Sequence, residues 1–164
     1  MYDLPYGYCG MPCALCNKYR TEGKSKCMGC SSSGFFTGSC NIYKCCKNKS
    51  NIACATCNEF PCEKHNGLKE FSDLNTDCAW NKNCESIPQK GFDGWYKEYK
   101  EKSDLLTIAL KRYNNGRMKK FLCELFIQRD LNTLRLIMNE AEALQGTPKE
   151  IAIQFKQIAN YKSN

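Results

Sequence analysis

The sequence predicts a small metal-stapled, loop-rich cysteine module followed by an all-α C-terminal portion of about four to five helices. Three observations lead there. Fourteen cysteines occur in 164 residues, and eleven of them lie between Cys9 and Cys62. That stretch has no sustained helical or strand period. After Ile87 and Pro88, apolar residues recur at threes and fours between recognisable helix caps. The chain therefore divides into a cysteine-rich metal-binding module at residues 1–66, a connecting segment at 67–90 and a helical domain at 91–164.

Cys, Gly, Ser, Asn and Lys dominate the module, as expected of loops fixed by metal rather than by a core. Ser31, Ser32, Ser33 and Gly34 read as a flexible connection, since Ser and Gly supply turn geometry and few packing atoms. No internal repeat is evident. Pro88 and Gly91 mark the boundary to the helices. Asp93 is placed to cap a short helix bearing Trp95, Tyr96 and Tyr99. Ser103 is placed to cap a second, with Leu106, Ala109, Leu110 and Tyr113, ended by Asn114, Asn115 and Gly116. A third is expected over Met118 to Gln128. Asp130 starts a fourth, whose Leu131, Leu134, Met138, Ala141 and Leu144 form a stripe stopped by Gly146. Thr147, Pro148 and Glu150 make a capping box with a first-turn proline for the last, which carries Ile151, Phe155 and Ile158.

Hydrophobic residues make up 42% of the chain and aromatic residues 12%, so this is not a disordered composition. No run of about 18 apolar residues occurs, and MYDLPYGYCG lacks the basic start and apolar segment of a signal peptide. The expectation is a soluble, cytoplasmic protein with no membrane partner. A reducing cytosol keeps thiols free and makes close-spaced cysteines metal ligands rather than disulfides. The formal charge of +7 falls to about +3 once eight thiolates and two Zn²⁺ are counted. That leaves little electrostatic ground for a nucleic-acid partner. Lys111, Arg112, Arg117, Lys119 and Lys120 surround one turn and read as a solvated face.

Zinc takes four soft ligands in a tetrahedron, and two cysteines separated by two residues can point both sulfurs at one ion. Cys13 and Cys16 form one such pair and Cys27 and Cys30 another, with Gly29 permitting the turn. These four are the first expected site. Cys54, Cys57 and Cys62, with Cys40 or Cys45 as fourth ligand, are the second, because adjacent Cys45 and Cys46 are not expected to reach one ion together. Cys46 reads as a buried thiol. Cys9 extends the first pair to CxxxCxxC, a spacing also used for iron–sulfur clusters, so a [4Fe-4S] cluster is the alternative to zinc. A radical enzyme using S-adenosylmethionine has that spacing too, but needs more βα units than this chain supplies. His65, the one histidine, reads as a surface polar residue or, through its CxxH spacing after Cys62, as a ligand. Cys78, Cys84 and Cys123, near Trp80, Leu122, Leu125 and Phe126, read as core, as do Trp95, Tyr96 and Tyr99.

The runs YCGMPCALCNKY, CMGC and CNIYKCCKNKSNIACATCNEFPCEKH together resemble the cysteine-rich family catalogued as domain of unknown function 3795. The resemblance covers roughly residues 6 to 66. FDGWYKEY and YNNGRMKKFLC look like the helical extension found in many members. The resemblance implies a zinc-binding protein of bacteria or archaea without an established reaction. It places Cys9, Cys13, Cys16, Cys27, Cys30, Cys45, Cys54, Cys57 and Cys62 at motif positions, with Cys40 fitting as well.

No P-loop, dinucleotide fingerprint, HExxH or GxSxG occurs, so nothing marks an enzyme. The leading expectation is a binding module with two structural zinc ions per chain and an unidentified protein partner. The alternative is an iron–sulfur, thiol-redox or metal-handling protein, since the cluster holds more cysteines than two four-thiolate sites use.

Overall fold

One long helix ties the two halves of the chain together. The computed structural model describes residues 2–35, 37–70 and 79–162, with the backbone alone at 69, 70 and 79. Among them are six α-helices and no strands: α1 (Asn41–Asn48), α2 (Glu63–Asn66), α3 (Ala79–Arg112), α4 (Lys119–Gln128), α5 (Leu131–Ala141) and α6 (Pro148–Tyr161). The helical C-terminal portion is thus α3 to α6, and the module before it is mostly turns.

The boundary expected at Pro88 and Gly91 is present as a break in the helix at Gly91. Both lie inside α3, which bends at Gly91, where φ is +72°. Glycine tolerates this left-handed conformation, so the chain kinks and resumes. Asp93 lies in the first turn after this break and Ser103 inside the helix that follows, so the two short helices of the sequence reading are one. Ser103 is buried and accepts a hydrogen bond from Arg20 instead.

The remaining helices start where their caps place them. Asp130 accepts from the Thr133 backbone N–H at 3.0 Å, and Thr147 and Glu150 form the expected capping box. Asn114 Oδ1 accepts from the backbone N–H of Gly116 and Met118 and turns the chain into α4. Leu106, Tyr113, Leu122, Phe126, Leu134, Ile137 and Phe155 are fully buried between these helices. Tyr113 and Phe155 stack at 4.3 Å.

The N-terminal strand of chain lies along the aromatic face of α3. Tyr99 OH donates to Pro5 O and accepts from Ala14 N–H, each at 2.5 Å, while Tyr96 OH donates to Asp3 Oδ1 and accepts from Leu4 N–H. Trp95 and Tyr99 stack at 5.1 Å. These aromatics are core, as expected, and one contiguous apolar cluster runs from Tyr6, Ala14 and Ala55 to Phe155. No helix among the described residues is long and apolar enough to cross a membrane.

Candidate metal centre

Two short sequences, Cys13-Ala14-Leu15-Cys16 and Cys54-Ala55-Thr56-Cys57, fold alike. Each winds one 3-10 turn, closed by Cys16 N–H to Cys13 O and by Cys57 N–H to Cys54 O, both at 3.0 Å. The alanine of each faces the core, where a larger side chain would hold the turn away from α3, and the cysteines flank it. The similarity is local and too short to register as a sequence repeat.

α3 and the N-terminal segment position the first turn. Asn83 Nδ2 donates to Gly10 O at 2.6 Å and Cys84 Sγ to Cys9 O at 3.1 Å. Gly10 has φ +89°, and a Cβ there would lie 2.5 Å from Trp80 O, so only glycine lets the Cys9 loop approach α3 this closely. Gly29, at φ +87°, brings Cys30 back against the first turn. Cys30 N–H then donates to Cys13 Sγ at 3.4 Å. Ser31 to Gly34, expected as a flexible connection, is pinned at both ends: Ser31 Oγ accepts from Tyr6 N–H, and Gly34 packs on the backbone of Gly29.

The described cysteines form two groups. In the first, Cys9, Cys16 and Cys30 pack with Cys13 around Met11 and Trp80, and Cys16 faces Cys27 and Cys30. A recess with about 20 Å³ of room for a water-sized body is lined by Cys9, Cys30 and Cys40. In the second group, Cys45, Cys46, Cys54, Cys57 and Cys62 line another recess with about 20 Å³. Ile42 separates the two. Cys40 therefore stands with Cys9 and Cys30, and Cys45 stands with Cys54, Cys57 and Cys62.

Helix α1, which the sequence reading left as loop, makes that division. Cys40 caps it, its Sγ accepting from Tyr43 N–H at 3.4 Å, and Ile42 and Cys46 are its buried face. Their four-residue spacing was the available signal. Cys46 is buried as expected, yet its Sγ lies 4.0 Å from Cys54 Sγ. His65 is buried against the Phe60 ring rather than being a surface residue, and it lines neither recess. Cys84 and Cys123 are buried core thiols, pushed up to about 12 by burial; Cys78 lies outside the described residues.

Cys13 is held well above the usual thiol range by its hydrogen bond to Cys30 and by burial, and the same bond draws Cys30 down. Burial pushes Cys9 and Cys16 up. In the second group, the contact with Cys46 and then burial push Cys54 up, while Lys64 Nζ stands 3.7 Å from Cys45 Sγ. Buried thiols of this kind keep their protons until a cation replaces them.

Residues 5–67 match the family described as Protein of unknown function (DUF3795). The module is similar to that family. None of the curated proteins and none of the solved structures compared matches the chain. The DUF3795 match ends just before α3, so the helical half lies outside it.

Among the described residues, no three Cys, His, Asp or Glu side chains converge on one point as metal ligands. The module's sulfur donors are gathered into two neighbourhoods. Their chemistry fits zinc: sulfur donors and recesses of single-ion size.

Proposed function

We propose that the cysteine-rich module is a structural zinc module that fixes its loops on α3, so that module and helices present one rigid surface to a protein partner. The observation that carries this reading is the pair of CAxC turns, the second lining a recess through Cys54 and Cys57 together with Cys45, Cys46 and Cys62, the first packed with Cys9 and Cys30. Cys45, Cys54, Cys57 and Cys62 supply the four thiolates of the second site, and the first group supplies the rest. Closed four-thiolate sites leave no open position for a substrate, which matches a structural rather than a catalytic metal.

Elemental analysis with an absorption spectrum, on protein purified without air or added metal, tests this. Zinc with no visible absorption is expected. Iron with sulfide and a broad visible band would replace structural zinc by an electron-transfer cluster.

A further inference from the structure

Five thiols line the second recess, and the zinc reading uses Cys45, Cys54, Cys57 and Cys62. Cys46 is left over. It is buried on α1, with its Sγ 4.0 Å from the Sγ of Cys54, eight positions along the chain. The local backbone brings the two together. Ser50, at φ +56°, turns the chain out of α1, and Asn51 N–H donates to Cys46 O at 2.9 Å. Cys54 N–H donates to Tyr8 O at 2.7 Å, which fixes the returning segment. The recess has room for a water-sized body, and the exposed Lys49, Glu59 and Lys64 line it too, so a small polar reagent has a way in.

We infer that Cys46 is the resident oxidation partner of Cys54: a small hydroperoxide joins the pair in a disulfide, which withdraws Cys54 from the thiolates of the second group. With hydrogen peroxide, one sulfur attacks as thiolate, the O–O bond breaks, and the departing hydroxide takes up the thiol's proton and leaves as water. That sulfur is then a sulfenic acid. The other sulfur attacks it, the S–O bond breaks, and a second hydroxide leaves with the second thiol's proton. Two thiols and one hydrogen peroxide give one disulfide and two waters, and the two sulfurs supply the two electrons. Closing the pair from 4.0 Å to a bond of about 2.05 Å takes about 2 Å of movement shared between two side chains. Lys49 and Lys64 outnumber Glu59 around the recess, and positive charge favours the attacking thiolate. The loss of metal on oxidation rests on the zinc reading, since three thiolates then remain for four positions; the disulfide does not rest on it.

Full-length chain purified without air, treated with stoichiometric hydrogen peroxide and digested with trypsin without reduction, tests the pair. Cleavage after Lys47 and Lys49 puts the two cysteines on separate peptides. Tandem mass spectrometry should find these joined through Cys46 and Cys54, two hydrogens lighter than the free pair, while a chromogenic indicator reports zinc leaving the protein. A link from Cys54 to another cysteine, sulfinic acid at Cys54 beside a free Cys46, or no reaction at either would overturn the pair, and this reading needs no variant to fold. A linked chain that kept all its zinc would overturn the withdrawal. Cys46→Ser should hold its zinc longer under the same peroxide, and release as fast as the wild type would count against Cys46 in the same way. A chain that carries no zinc as purified would sink the structural-zinc reading, and the peptide map would still decide the disulfide.

Discussion

Between α3 and α6 the chain buries Leu106, Leu122, Phe126, Leu134, Ile137 and Phe155, whereas the module buries Ala14, Ala53, Ala55, Cys13, Cys46 and Cys54 beside only four large apolar side chains, Tyr6, Met11, Leu15 and Ile42. Large apolar side chains give the helices a core of their own, since each fully buried one contributes roughly 1.5–3 kcal/mol. Small side chains supply far less, so a segment of this size needs cross-links to stay ordered. The module leans on its neighbour as well. Gly10, Ala14 and Tyr6 rest on α3, and Arg20 clamps the two regions by donating to Ala14 O, Thr107 Oγ1, Ser103 O and Ser103 Oγ. Unequal sources of stability imply unequal responses to the same insult.

The largest difference should follow metal removal. A strong chelator should make residues 1–66 sensitive to protease while 91–164 resist, because structural zinc is worth on the order of 10 kcal/mol to a small site. Limited proteolysis read by mass spectrometry checks this, and equal protection of both regions would break the comparison. Next, Phe126→Ala should cost about 3–5 kcal/mol in urea unfolding of the helical half, through a cavity at a fully buried site. Metal content should not change.

A smaller loss, about 2 kcal/mol, is expected for Arg20→Ala, which removes charged hydrogen bonds between the regions. Thermal unfolding followed separately by tryptophan fluorescence and by helical circular dichroism should then show two transitions drawing apart. The smallest effect belongs to Thr147→Ala, about 1 kcal/mol through loss of the α6 cap. It should appear in the helical transition alone.

The caps of α5 and α6 and the turn at Asn114 were legible because their signals are local: a side chain bonding a backbone group three or four residues away. The continuity of the helix through Ser103 was not, since a serine ahead of an apolar run also reads as a cap. Cys40 illustrates the same limit. By spacing it was a candidate, with Cys45, for fourth ligand to Cys54, Cys57 and Cys62, and the capping of α1 and the Ile42 partition placed it with Cys9 and Cys30. His65 read as a surface polar residue because burial against Phe60 depends on how α2 folds back, which a lone histidine does not announce.

The sequence by itself determined that this chain pairs a cysteine-rich module, similar to DUF3795, with a helical half, because cysteine density and apolar period are properties of neighbours along the chain. Which thiols stand together was decided by tertiary structure alone. Grouping depends on distances across Gly10, Gly29 and α1, set where backbone segments remote in sequence approach one another, and spacing along the chain does not encode those approaches.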